Sequence, residues 1–172
     1  MTPRARWGLA AGALAFVLFI AVIVWIDQRA RGIGGARDRM PDLHDAQRIG
    51  AGERVYAAYC AGCHGAQLEG QPNWTTRRET GRLPAPPHDE TGHTWHHPST
   101  QLFELTKYGL VPPNAPAGYQ SDMPAFEGIL SDDDIWAVLA YIKSRWPASV
   151  RDRHDALDAQ ARTQSRATHW RR

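Results

Sequence analysis

The chain has 172 residues, of which 22% are charged, and its formal net charge at pH 7 is +2. This near-neutral balance indicates neither a nucleic-acid-binding protein nor an enzyme for acidic substrates. The length allows one small globular domain, and the two cysteines, Cys60 and Cys63, lie too close in sequence to cross-link distant loops. A small domain without disulfides needs another source of stability.

The first predicted element is the run of twenty uncharged residues at 7–26. As a helix it would span about 30 Å, the thickness of the hydrocarbon core of a bilayer. Trp7 and Trp25 lie near its ends, where aromatic rings favour the headgroup region. A cleaved secretory signal is the alternative, but it would have a shorter apolar core and a clear small-x-small cleavage site. We predict a retained transmembrane anchor at 7–26, preceded by a short terminus at 1–6 and followed by a glycine-rich flexible tether at 27–42.

Two helices are predicted in the first part of the remaining chain. The first runs from about 45 to 59, and one of its faces carries Ile49, Gly52, Tyr56 and Cys60. The second is expected to begin with Ser99 as its N-cap and to continue through Tyr108, ending at Gly109. The prolines and glycines between these helices predict an irregular loop.

The last predicted helix has the clearest end signals. Ser131 is expected to cap it, the three aspartates that follow favour its positive N-terminal end, and Pro147 is expected to stop it. One apolar stripe runs along this helix and consists of Ile135, Val138, Leu139, Ile142 and Trp146. After Pro147 apolar residues are sparse and six arginines outnumber three aspartates. Residues 148–172 are therefore predicted to form a disordered, basic tail.

The sequence Cys60-Ala61-Gly62-Cys63-His64 has the spacing of a covalent haem-attachment site. Two thiols must reach the two vinyl groups of one porphyrin, while the adjacent imidazole ligates the iron. Half a zinc site is one alternative, but no further ligands stand at a standard spacing. A redox dithiol is another, but it should follow a strand rather than a helix. The motif predicts one covalent haem c, attached at Cys60 and Cys63 and ligated by His64.

Around this motif, residues 45–147 resemble class I cytochromes c. The resemblance is carried by Gly52 and Tyr56 before the motif, Met123-Pro124 after the middle helix, and Tyr141 in the last helix. It implies an all-α fold, with a cytochrome c-like haem domain at 43–147. It also implies that the first and last helices cross at close range, so that Gly52 and Tyr56 meet Leu139, Tyr141 or Ile142.

The same resemblance implies that Met123 is the distal iron ligand, because its Met-Pro placement between the middle and last helices matches the family. A loop histidine on the iron is the alternative. Iron with His64 and Met123 as ligands has no open position, so the resemblance implies a one-electron carrier and not an enzyme.

The resemblance also implies a location and partners. Haem attachment in this family occurs outside the cytoplasm, which places residues 27–172 on the periplasmic side of a bacterial cytoplasmic membrane and residues 1–6 on the cytoplasmic side. The expected partners are redox proteins, namely an oxidase, a reductase or a quinol-oxidising complex, and no nucleic acid. A haem enzyme or gas sensor with a labile distal ligand remains an alternative.

A histidine-rich loop follows the attachment motif. Four of the eight histidines lie within ten positions, at His88, His93, His96 and His97. One interpretation is a copper site, since imidazoles suit copper, and this would make the chain a copper-handling module. Another is that His93, Trp95 or His96 donates hydrogen bonds to the haem propionates. A third is a solvent-facing loop without a specific role, and the residues alone do not decide among them.

Overall fold

The computed structural model describes residues 18–23, 25, 41 and 43–169, with side chains described up to residue 165. The chain divides into two units, residues 1–38 and 39–172. In the first unit, the described residues are helical and exposed. No helix in the described part of the chain is both long and apolar enough to cross a membrane. The predicted terminus, anchor and tether lie mostly outside the described residues and stay predictions.

In the second unit, all the described secondary-structure elements are helices. We number its helices α1 to α5; their bounds are α1 Ala46–Tyr59, α2 Ala61–His64, α3 Ser99–Tyr108, α4 Asp132–Ser144 and α5 Ala148–His169, with a short 3-10 turn at Thr94–His96. No strand occurs among the described residues. The predicted all-α class is confirmed for this part of the chain.

Side-chain caps explain where α1 and α4 begin. Asp45 is the N-cap of α1, and its Oδ1 accepts a hydrogen bond from the backbone N–H of Arg48 at 2.9 Å. Helix α4 begins with a capping box, in which the Ser131 hydroxyl accepts from the Asp134 N–H at 3.1 Å. The Asp134 carboxylate in turn accepts from the Ser131 N–H at 3.2 Å. The predicted cap of the last helix is confirmed.

Helices α1 and α4 cross at close range because α1 carries a glycine at the crossing. A Cβ atom on Gly52 would lie 2.0 Å from the carbonyl oxygen of Ala137 and 2.9 Å from the Cβ of Tyr141. Only a residue without a side chain permits this approach. The rings of Tyr56 and Tyr141 lie 5.5 Å apart just beyond it. The predicted contact of Gly52 and Tyr56 with Tyr141 is confirmed.

The core consists of two apolar clusters. The first contains Tyr56, Leu68, Val138, Tyr141, Ile142 and Trp146. The second contains Phe103, Phe126, Leu130, Ile135, Trp136 and Leu139. Val55 packs against both clusters. All five residues of the stripe predicted for α4 are buried.

The segment after Pro147 is helical, contrary to the prediction. Helix α5 covers residues 148–169, and its side chains His154 and Asp158 are only 1% and 2% exposed. Proline suits the start of a helix because its fixed φ matches the first turn. The carbonyl of Pro147 accepts hydrogen bonds from the amides three and four residues later, both at 3.0 Å. The disordered tail predicted at 148–172 is therefore wrong for residues 148–169.

Polar contacts hold α5 against the rest of the domain. Asp158 accepts two hydrogen bonds from Ser99, one from its backbone N–H at 2.6 Å and one from its hydroxyl at 2.8 Å. The ring of His154 donates from Nε2 to the carbonyl oxygen of His97 at 3.0 Å. Burial lowers the pKa of His154 more than the neighbouring carboxylate of Asp158 raises it, so the ring is neutral at pH 7.

This contact also corrects the predicted start of α3. Pro98, not Ser99, occupies the N-cap position, and it makes no side-chain hydrogen bond there. Ser99 lies in the first turn, where both its backbone N–H and its hydroxyl donate to the carboxylate of Asp158. A partner 59 residues away in the sequence thus replaces the local cap that the sequence favours.

Candidate functional site

The attachment motif forms a short helical turn at the end of α1. Cys60 ends α1, and α2 follows directly, with hydrogen bonds from the Cys63 and His64 amides to the Cys60 carbonyl at 3.1 and 2.9 Å. Residues three apart share one face of a helical turn, so both thiols lie on the same side. The cysteines are not linked to each other; Cys60 is half-buried and Cys63 exposed. Burial and the neighbouring Cys63 raise the pKa of the Cys60 thiol to about 11.

The imidazole of His64 is buried and its orientation is fixed. It is 7% exposed, and its Nδ1 lies 2.8 Å from the carbonyl oxygen of Pro86. A carbonyl can only accept, so Nδ1 carries the hydrogen and the neutral ring keeps its lone pair on Nε2. Burial lowers the pKa of His64 and favours this neutral form. A ring nitrogen with a free lone pair, oriented by a hydrogen bond from the other nitrogen, is the usual state of a metal-binding histidine.

Close backbone contacts place Pro86 beside the motif. The Gly70 amide donates to the His64 carbonyl at 2.8 Å, and Gly70 has a φ of +69°. A Cβ there would lie 2.4 Å from the backbone nitrogen of Pro87, so only glycine fits. The Tyr56 hydroxyl donates to the Gly65 carbonyl at 3.0 Å, and burial raises its pKa, which keeps it a donor. These contacts therefore fix the backbone of the loop that brings Pro86 next to His64.

His88 is the loop histidine that the structure brings to the site. Its ring stacks on the His64 ring with centroids 3.8 Å apart and forms a T-shaped contact with the Tyr56 ring, with centroids 5.9 Å apart. Its backbone is held from both sides, by its own amide donating to Leu68 O at 2.8 Å and by Trp146 Nε1 donating to its carbonyl at 2.7 Å. Burial lowers the pKa of His88 well below the usual value, with a smaller contribution from His64. No periodicity in the sequence marks this position, since the contact depends on the fold of the loop.

Two of the other three loop histidines stack on tryptophans instead. His93 stacks on Trp74 with centroids 5.4 Å apart, and His96 stacks on Trp95 at 3.7 Å. The Trp95 indole N–H donates to a backbone carbonyl at 3.3 Å within the same loop. No three metal-binding side chains of the loop converge among the described residues. The copper interpretation therefore has no support in this geometry.

The one candidate metal cluster in the described part of the chain lies elsewhere, on α5. It consists of His154, Asp155 and Asp158. The ammonium of Lys143 lies 2.5 Å from Asp155 and 3.5 Å from Asp158. A lysine thus already supplies the positive charge that these carboxylates need, and the cluster is a structural ion pair network.

Met123 lies on the second core cluster, where its side chain is half-buried. Its backbone N–H donates to the Ser121 hydroxyl at 3.0 Å. The chain just after it is fastened to α3, because the amides of Phe126 and Glu127 donate to carbonyls at the end of that helix at 3.1 and 2.8 Å. Cys60 packs against the first cluster and Met123 against the second, and Val55 of α1 contacts both clusters.

Residues 49–146, more than half of the chain, match the family model described as Cytochrome c. The chain is a member of the cytochrome c family. Neither the curated proteins nor the solved structures gave a match. Membership of the cytochrome c family makes the chain a haem-binding electron-transfer protein with a covalently attached c-type haem.

The residues of this cytochrome fit that cofactor. Cys60 and Cys63 place two unpaired thiols on one side of a single turn, as the two vinyl groups require. His64 follows directly, with the neutral tautomer that leaves Nε2 available to iron. The structure thus places Cys60, Cys63 and His64, the residues predicted for haem attachment, together at the end of α1. The two groups that contact the His64 ring, the Pro86 carbonyl and the His88 ring, were not predicted from the sequence.

Proposed function

We propose that this cytochrome is a one-electron carrier whose haem iron is ligated by His64 and Met123. The observation that carries the proposal is the hydrogen bond from His64 Nδ1 to the Pro86 carbonyl, which directs an unprotonated Nε2 away from the backbone. The haem supplies the Fe(II)/Fe(III) couple. The protein's own part is to orient the ligands and to exclude water from the iron.

The surroundings of Met123 support its role as the second ligand. A thioether is uncharged and soft, and it raises the reduction potential by favouring ferrous iron. The side chain is half-buried beside aromatic residues of the second cluster, where a thioether is readily accommodated. With His64 and Met123 both bound, the iron has no open position for a substrate or a gas, which favours a carrier over a haem enzyme or sensor.

Replacing Met123 with alanine is expected to abolish the sulfur-to-iron charge-transfer band of the ferric protein. The reduction potential should fall by on the order of 0.1 V or more, a part of the roughly 0.8 V range that axial ligands control. Carbon monoxide should then bind the ferrous form. The control is the double change His96→Ala, His97→Ala, which should leave band and potential unchanged. Retention of the band in the Met123 variant would refute the proposed ligand, whether or not the control loses it.

We also propose that residues 7–26 anchor the haem domain to the periplasmic face of a bacterial cytoplasmic membrane. The support is the uncharged length of this segment, which suffices for one crossing. An oxidase, a reductase or a quinol-oxidising complex would then be within reach, and pull-down from solubilised membranes tests these partners.

If residues 7–26 are a retained anchor, the protein should stay in the membrane fraction, as a haem-staining band on a gel, and should keep its original N-terminus. Cell fractionation followed by N-terminal sequencing of that band measures both properties. A soluble haem protein that begins after residue 30 would show instead that the segment is a cleaved signal.

A further inference from the structure

A closed lobe lies next to the residue that orients His64. The Gln71 amide donates to the Ala85 carbonyl at 2.9 Å, and the Ala85 amide donates back to the Gln71 side chain at 3.3 Å. These bonds join the two ends of the lobe, which we define as residues 72–84. Pro86, whose carbonyl accepts from His64, follows its base directly. The lobe is thus anchored on the His64 side of the site.

The tip of the lobe is a hydrogen-bonded turn that carries arginines. The Arg78 amide donates to the Arg82 carbonyl at 2.9 Å, and the Gly81 amide donates to the Arg78 carbonyl at 2.8 Å. Gly81 has a φ of +79°, a conformation that favours glycine. The Arg77 guanidinium donates to the Gly81 carbonyl at 2.6 Å. The turn therefore holds Arg77 and Arg82 at its end.

Both arginines contact the segment that leads into Met123. The Arg82 guanidinium forms an ion pair with the carboxylate of Asp122, the residue directly before Met123. The Arg77 guanidinium lies 5.7 Å from the centre of the Tyr119 ring. A cleft of about 360 Å³ separates the two segments here, lined by Arg77, Thr80, Gly81, Gly118, Tyr119 and Gln120. The arginines therefore bridge a gap between the segments.

We propose that Arg77 and Arg82 act as a clasp that holds residues 119–123 in place and so positions Met123. The inference rests on the proposed role of Met123 as iron ligand. The Arg82 and Asp122 side chains are 44% and 50% exposed, so the ion pair is weak. An exposed ion pair or cation–π contact shifts the equilibrium between a held and a released segment by about two- to fivefold. Loss of both contacts should therefore favour the form in which residues 119–123 are released from the lobe by about tenfold.

The test is the double variant Arg77→Gln, Arg82→Gln in the full-length holoprotein. Backbone amides at 119–123 are expected to exchange hydrogen about tenfold faster, and ferric haem should bind added imidazole about tenfold more tightly. The control is Lys107→Gln, which removes the 2.7 Å ion pair to Asp132 between α3 and α4. It should change both quantities by less than about twofold.

Charge reversal separates the pairing from other effects of the substitutions. Arg82→Asp alone should accelerate exchange, and adding Asp122→Arg should restore it. Unchanged exchange at 119–123 in the double variant would overturn the clasp. Faster exchange without tighter imidazole binding would overturn its role in positioning Met123. Failure of the Met123 ligand itself would appear separately, as a charge-transfer band that survives in the Met123→Ala variant.

Discussion

Replacing Asp158 with alanine is expected to lower the free energy of unfolding by about 3 kcal/mol. Asp158 is 2% exposed and accepts both the N–H and the hydroxyl of Ser99, so these donors would lose their partner. Lys143 is also buried and would keep only its contact with Asp155. Chemical denaturation of the holoprotein, followed by far-ultraviolet circular dichroism, measures the loss.

The matched control is Asp155→Ala. Asp155 binds the same ammonium of Lys143, but its side chain is 62% exposed, so its removal should cost less than about 1 kcal/mol. Equal costs for the two variants would show that Asp158 is not the carboxylate that fastens the helix.

Helix α5 has a packed part, which holds the buried side chains of His154 and Asp158, while its described side chains after residue 161 are exposed. A chain that ends after residue 162 retains His154 and Asp158 and should lose less than about 1 kcal/mol, because the described side chains that it lacks, at 163–165, are exposed. A chain that ends after residue 153 loses both buried side chains and should lose more than about 2 kcal/mol. A deletion that removes His154 and Asp158 is therefore not the harmless change that the composition of residues 148–172 suggests.

Local patterns predicted α1 and α4 because their determinants are local. A capping box needs only Ser131 and Asp134, three residues apart, and an apolar stripe needs only the helical period. The attachment motif likewise spans five consecutive residues. The crossing at Gly52 followed from the family resemblance, and the structure gives its physical reason in the 2.0 Å that would separate a Cβ from the Ala137 carbonyl.

Features that depend on polar contacts between distant residues escaped prediction. Helix α5 has little apolar surface, and the hydropathy pattern therefore resembled that of a disordered tail. Asp158 and His154 help to hold it in the domain, and their partners lie 57 to 59 residues earlier. The pairing of His64 with Pro86, 22 residues later, belongs to the same class. Such contacts leave no periodic signal in a single sequence.

Trp146 connects this C-terminal packing to the haem site, and its replacement by alanine should cost about 3–5 kcal/mol. The side chain is 2% exposed and meets the His154 ring at 5.0 Å. Its Nε1 donates to the His88 carbonyl at 2.7 Å, and the His88 ring stacks on His64 at 3.8 Å. Loss of the indole thus removes a large buried group and one of the two bonds that hold the His88 backbone.

Trp146→Phe separates packing from hydrogen bonding, because phenylalanine keeps an aromatic ring but leaves the His88 carbonyl without its donor. We expect a cost of about 1–3 kcal/mol, together with altered g-values of the ferric haem as His88 shifts against His64. Trp136→Phe is the matched control, since Trp136 is equally buried, stacks on Phe103 at 4.6 Å and has no hydrogen-bond partner for Nε1 among the described residues. It should cost less in stability and leave the g-values unchanged. If the two phenylalanine variants behave alike, the bond from Trp146 to His88 does not support the proximal side of the haem.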